Sequence, residues 1–243
     1  MNSFLQHKVL TKVHLEGVYK SFGEVNTLED INITLNEGEL VSIIGPSGCG
    51  KSTIFNIITE LTKCDRGNVQ VNGEISYMYQ KDLLLPYKTI LDNISLPLQI
   101  KGIKRSVARE KVIPYFDTFG LEGYEKNYPN ELSGGMKQRA NFLRTYICSN
   151  DIMLLDEPFG ALDSITKMDL QEWFIDIRKK VNSTILLITH DIDEAIRLSD
   201  RIYVLSNKPA TVKKEYILRK DLFDKSDVNK VALLKKEITN LLK

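Results

Sequence analysis

Two segments near the start, Lys12–Val18 and Ile31–Leu35, alternate apolar and polar residues, the period of half-buried antiparallel strands. Asn36-Glu37-Gly38 then reads as a turn, and Glu39–Ile44 as an unbroken apolar strand covered on both faces. A glycine-rich turn follows, leading into a helix from about Lys51 to Leu61, and Asn68–Val71 and Ile75–Tyr79 read as short strands. From residue 81 to about 150 the strand pattern stops. Helical stretches there are separated by Pro86, Pro97, Pro114 and Pro129, which predicts an inserted helical lobe. Buried-strand patterns return at Ile152–Leu155, Thr184–Ile188 and Arg201–Leu205. Between the first two of these, Leu170, Trp173, Phe174, Ile177 and Val181 recur with the 3.6-residue period of a helix packed on a core. Strands alternating with helices predict a parallel α/β sheet. The last segment, about Asp221 to Lys243, predicts one or two amphipathic helices with Val228, Val231, Leu234, Ile238 and Leu241 on one side.

Composition narrows this picture. A chain of 243 residues can bury one large core or two lobes of one domain. A formal net charge of +1 points to no nucleic-acid partner and no anionic membrane surface. Cys49, Cys64 and Cys148 are scattered, with no CxxC pair, as in a reducing compartment rather than a disulfide scaffold or zinc site. Met1–Leu10 lacks the apolar core of a signal peptide, and no apolar run approaches the roughly 20 residues of a membrane span. The expectation is a cytoplasmic protein that reaches a membrane only through a partner.

Two segments carry chemistry. Gly45-Pro46-Ser47-Gly48-Cys49-Gly50-Lys51-Ser52-Thr53 has the spacing of a phosphate-binding loop between a strand and a helix. Glycines let backbone N–H groups turn inward around a polyanion, Lys51 supplies a mobile cation, and the Ser52 hydroxyl can ligate Mg²⁺. Cys49 reads as a small space-filler in that loop rather than a nucleophile. The strand Ile152–Leu155 delivers Asp156 and Glu157 to the sheet edge, where open α/β folds bind ligands. Asp156 is expected to serve Mg²⁺ through water, and Glu157 to polarise an attacking water.

Between these elements lies Leu132-Ser133-Gly134-Gly135-Met136-Lys137-Gln138-Arg139. With this order the chain resembles the ATP-binding subunits of ABC transporters over nearly its whole length. The resemblance implies a P-loop NTPase with a RecA-like core, an N-terminal antiparallel β-subdomain and an inserted helical subdomain. Within a single domain spanning 1–243, core and β-subdomain would take about 1–80 and 151–220, the helical subdomain about 81–150, and a tail about 221–243. ATP and Mg²⁺ are the implied ligands. Phe22 matches the aromatic that stacks on adenine, Gln80 the glutamine that senses Mg²⁺ and water, and His190 the histidine that contacts the γ-phosphate. Asp163, in Ala161-Leu162-Asp163, matches the loop that carries information across a dimer. Ser133, Gly134 and Gly135 match the signature that closes on ATP held by the opposite subunit. One chain then carries two half-sites, and the working unit is a homodimer or a heterodimer with a close relative. Met136 stands where the commonest signature has Gln, and Arg144-Thr145-Tyr146 where many relatives have Arg-Ala-Leu.

Asp156-Glu157-Pro158-Phe159-Gly160-Ala161-Leu162-Asp163 looks like importer subunits. Leu83-Leu84-Leu85-Pro86-Tyr87 with Asn93, and Thr189-His190-Asp191-Ile192-Asp193-Glu194-Ala195, look like the nitrate/sulfonate/taurine-type group. That group also includes subunits for pyrimidine thiamine precursors; it usually has Trp where this chain has Tyr87. The resemblance implies membrane permease subunits docked at 81–100, an extracytoplasmic substrate-binding protein acting indirectly, and a peripheral place on the cytoplasmic face of the membrane. Five apolar or aromatic residues in one loop fit such a contact. The other class considered is a soluble ABC ATPase with a non-transport role; it would carry two ATP-binding halves or a long coiled-coil insertion, and the sequence has neither.

Overall fold

The computed structural model describes residues 10–149, 151–160, 162–181, 183–219 and 221–243. The leader reading of Met1–Leu10 therefore lies outside the described residues apart from Leu10, as does Ala161. Two sheets organise the rest. β1 (Thr11–Phe22) pairs antiparallel with β2 (Val25–Asn36) and with β4 (Arg66–Val71), giving the order β2-β1-β4. The second sheet runs β5-β6-β7-β3-β8-β9. Its members are β3 (Leu40–Ile44), β5 (Ile75–Met78), β6 (Ile152–Asp156), β7 (Thr184–Thr189), β8 (Arg201–Leu205) and β9 (Val212–Ile217). The first five of these run parallel, and β9 closes the edge antiparallel to β8. The predicted short strands near Asn68 and Ile75 thus belong to different sheets.

Helices cover both faces of the parallel sheet, which is why β3 and β7 are buried throughout. On one face Val41, Ile43, Ile152, Leu154, Leu186 and Ile188 pack against α1 (Lys51–Ile58) and the antiparallel sheet. On the other, Met153, Leu155, Ile185 and Leu187 meet α6 (Ser164–Val181) and the segment between β5 and β6. That segment holds α2 (Ile90–Ile100), α3 (Arg105–Val112), α4 (Tyr115–Thr118), a 3₁₀ turn at Pro129–Glu131 and α5 (Gly134–Cys148). An aromatic cluster joins it to the sheet: the Phe142 ring lies 5.1 Å from Phe174, 5.7 Å from Trp173 and 5.9 Å from Phe159. A smaller core gathers Ile44, Ile202 and Val204 under α7 (Ile192–Leu198) and α8 (Val228–Leu241).

Three expectations change, and one strand appears where none was predicted. Pro97 lies inside α2 rather than between helices, so the helix forgoes one N–H bond in its last turns. α1 stops at Ile58, and Leu61 is exposed. β9 carried no readable pattern, because Val212–Ile217 is an edge strand with Lys213, Lys214 and Glu215 at its centre. In α8 Leu234 and Ile238 are buried, but Val228 is 78% exposed and takes no part in the packed face.

Candidate functional site

The parallel strands β3, β5, β6 and β7 end on one edge of the sheet, and each is followed by a residue named above. β3 runs into Gly45. A Cβ there would lie 2.9 Å from Cys49 Sγ and 3.0 Å from Leu205 Cβ, so only glycine lets the loop turn back over its own strand. Gly48 and Gly50 have φ of +74° and +124°, and a Cβ on Gly50 would come within 2.8 Å of Leu28 Cδ2. The loop closes on its own cation: Lys51 Nζ donates to the carbonyls of Gly45 at 2.9 Å and Pro46 at 3.1 Å. Helix α1 starts at Lys51, and its first N–H groups have no carbonyl within the helix to bond, the usual anion-binding arrangement. Burial pushes the Cys49 thiol up, opposite to an activated thiolate.

β6 ends at Asp156, whose Oδ2 accepts from Ser52 Oγ at 3.2 Å and from the Tyr77 hydroxyl at 3.1 Å. Burial pushes this carboxyl up, against the pull of both hydroxyls. A hydroxyl and a carboxylate side by side are hard oxygen donors of the kind Mg²⁺ takes. Next along the chain, Glu157 has φ +47°, an uncommon angle for a non-glycine, and its N–H donates to Ile188 O of β7 at 2.9 Å. Its Oε2 accepts from Gln80 Nε2 at 3.0 Å and lies 3.2 Å from His190 Nδ1. Three residues from the ends of β5, β6 and β7 therefore meet on one oxygen. Gln80, expected to sense Mg²⁺ and water, here donates its amide N–H to Glu157.

Phe22 sits at the tip of the β1–β2 hairpin, 51% exposed, with Lys20 Nζ 5.3 Å from its ring centre. The same hairpin reaches the phosphate loop through Thr27 and Leu28, the residues nearest a Cβ on Gly50. Ser133 is the N-cap of α5, its Oγ accepting from Met136 N at 3.3 Å. A Cβ on Gly134 would meet Leu162 Cδ2 at 3.2 Å and one on Gly135 would meet Thr166 Cγ2 at 3.1 Å, so the signature turn lies against the start of α6, not against residues 45–53. Asp163 caps that helix, accepting from Ile165 N and Thr166 N at 3.1 Å. Hydrogen bonding to Thr166 holds its carboxyl below the usual range. Met136 packs at the margin of the main core, an apolar anchor where an amide is commoner.

The predicted docking loop is less uniformly exposed than its composition suggested. Leu83 is 52% and Tyr87 73% exposed, but Leu84 turns into the core. Two side chains grip the loop. Arg144 donates to the carbonyls of Asp82 at 2.6 Å and Leu83 at 2.8 Å. Asn93, fully buried, donates to the carbonyls of Leu85, Lys88 and Thr89 and accepts from Leu85 N. Sequence reasoning quoted Asn93 and Arg144 without giving either a task, and passed over Tyr77. The period-2 pattern of β5, which sets Tyr77 on the face that Asp156 shares, was the available signal for the last.

The chain is similar to known proteins over most of its length. The family model described as ABC transporter matches residues 28–160. The formylaminopyrimidine import ATP-binding protein ThiZ of Halalkalibacterium halodurans is 42% identical over 97% of this chain and 96% of its own. The aliphatic sulfonates import ATP-binding protein SsuB of Bacillus cereus is 40% identical over 80% of each. Among solved structures, the bacterial ABC transporter cassette MJ0796 is 32% identical over 85% of this chain and 99% of its own. It is dimeric, with a TM-score of 0.72, and a post-hydrolysis dimer bound to ADP and Pi scores 0.71. With a strand-borne phosphate loop, a signature turn at the start of α5, a family model over residues 28–160 and a relative 42% identical over 97% of the chain, this chain belongs to the ABC transporter family.

Proposed function

We propose that this chain is the ATPase subunit of an importer, and that two such subunits close around two ATP molecules to drive solute through separate permease subunits. The observation that carries the reading is the convergence of Gln80 and His190 on Glu157 Oε2, beside a phosphate loop closed on Lys51. Phe22 stacks on adenine, and residues Gly45 to Thr53 hold the phosphates with Lys51 on the β/γ pair. Glu157 takes the proton of the attacking water as the bond from the γ-phosphorus to its bridging oxygen breaks. His190 contacts the γ-phosphate, and Gln80 relays its presence to the loop that follows. Ser52, Asp156 and Gln80 would hold Mg²⁺. The chemistry the ion would supply there is neutralisation of the charge that develops on the phosphates.

Ser133, Gly134 and Gly135 serve the ATP of the opposite subunit, with Asp163 beside them at the interface. Segment 81–100 docks the permease through Leu83 and Tyr87, which places the chain on the cytoplasmic face of a membrane that no described helix is long and apolar enough to cross. Near-full-length similarity to ThiZ favours a formylaminopyrimidine-like solute over a sulfonate, and an external binding protein would deliver it. Isolating the intact complex and identifying its bound solute tests that choice. Replacing the base tests the rest: Glu157→Gln is expected to lower turnover by about 100-fold or more while ATP still yields a stable dimer on size exclusion. Hydrolysis at the wild-type rate would remove Glu157 from its role.

A further inference from the structure

Tyr77 stands in the middle of a strand, yet its hydroxyl reaches the acidic edge of the sheet. β5 and β6 are parallel, with Tyr77 opposite Leu154. Asp156 follows Leu154 by two residues and so shares its face. A tyrosine leaning one repeat along the strand spans that step, and its hydroxyl stops 3.1 Å from Asp156 Oδ2. The ring is fixed on two sides. Phe55 of α1 meets it edge-on at 5.5 Å, and Tyr79 stacks on it at 4.1 Å and 21°. A phenol held by α1 on one side and by the residue before Gln80 on the other has little freedom to follow a moving carboxylate, so it sets the carboxylate's orientation instead. Ser52 donates to the same oxygen at 3.2 Å; bound to a cation through a lone pair it would keep its O–H, so serine and phenol hold the carboxylate from two directions.

We propose that Tyr77 is a positioning residue of the magnesium site, the rigidly held donor that, together with Ser52, keeps Asp156 aligned toward the ion. The inference rests on the assignment of Asp156 to Mg²⁺. It also ties the carboxylate to the loop beyond Gln80, because Tyr79, half exposed and adjacent to Gln80, is one of the two rings that hold the phenol.

The test reads metal binding rather than turnover. Affinity of the full-length chain for a fluorescent ADP analogue is measured with chelator and with Mn²⁺; the ratio reports how much the metal strengthens nucleotide binding. Outer partners of metal-bound groups typically matter about 10-fold, so Tyr77→Phe is expected to shrink the ratio about 10-fold. Its affinity under chelator and its thermal midpoint should match wild type. Asp156→Asn should abolish the ratio. A Tyr77→Phe protein that keeps the wild-type ratio while Asp156→Asn loses it overturns the proposal and leaves the metal assignment standing. If affinity falls equally with and without metal, Tyr77 serves the shape of the phosphate loop and the proposal also falls. If Asp156→Asn keeps the ratio, both the assignment and the inference are wrong.

Discussion

Asp92 offers a sharp test of what holds the inserted helices together. It lies in the first turn of α2 and is 4% exposed. Two guanidiniums clasp it in parallel: Arg105 through Nε at 3.1 Å and Nη2 at 2.6 Å, Arg109 through Nε at 2.8 Å and Nη2 at 2.7 Å. Asp92→Asn keeps the shape but turns an amide nitrogen toward donors. Four bonds to charged groups at about 1.5–3 kcal/mol each set an upper bound of about 6–12 kcal/mol. That bound is too high, because the Arg105 and Arg109 side chains are 60% and 36% exposed and recover water when released. Removing one partner of a fully buried pair costs about 3–5 kcal/mol. With both cations at the surface, the lower end is the better figure, about 3 kcal/mol or roughly 6–12 °C in Tm for a chain of this size. The sign with pH follows from the Arg109 hydrogen bonds, which, with those of Arg105, hold the Asp92 carboxyl far below its usual value. A depressed carboxyl contributes stability above its unfolded pKa of about 3.9 and loses it as pH falls toward the folded value. Urea unfolding followed by circular dichroism should therefore show the full difference at pH 7, shrinking below about pH 4. A variant within about 1 kcal/mol of wild type at pH 7, or a gap that does not narrow in acid, would refute the reasoning.

Phe142→Ala should cost about 3–5 kcal/mol by emptying the aromatic cluster between α5, α6 and the sheet, and Trp173, the chain's one tryptophan, reports it by fluorescence. Unchanged emission and unfolding midpoint would mean that the inserted helices are held elsewhere. Ser133→Arg adds bulk and charge at the exposed N-cap of α5 and removes a cap of about 1 kcal/mol. ATP should still bind the monomer but no longer dimerise it, as judged by light scattering; a retained ATP-dependent dimer would count against the signature's place across the interface.

The strands that form the site were legible because burial on two faces leaves unbroken apolar runs, as in Leu40–Ile44 and Thr184–Ile188. The phosphate loop was legible because its glycines answer a local demand on φ. The meeting of Gln80, Glu157 and His190 was not legible from spacing. It depends on β5, β6 and β7 being neighbours, a property of sheet order to which only the family resemblance gave access. Edge strand β9 was hidden because one face of it is wet and charged, and Pro97 misled because a helix near its end tolerates one missing donor. Tyr77 and Arg144 act across 79 and 61 or 62 residues of chain, beyond the reach of any local pattern.

The hold that Asn93 and Arg144 keep on the loop after Gln80 ends on main-chain atoms: six bonds to the carbonyls of Asp82, Leu83, Leu85, Lys88 and Thr89 and the N–H of Leu85. Side chains at 83 and 87 do not contribute to that grip. Leu83 and Tyr87 are therefore free to drift in evolution without unseating Gln80, three and seven residues away. On the docking proposed above, a cassette built this way could be refitted to another transporter by changing its outer residues while its catalytic cycle is inherited intact.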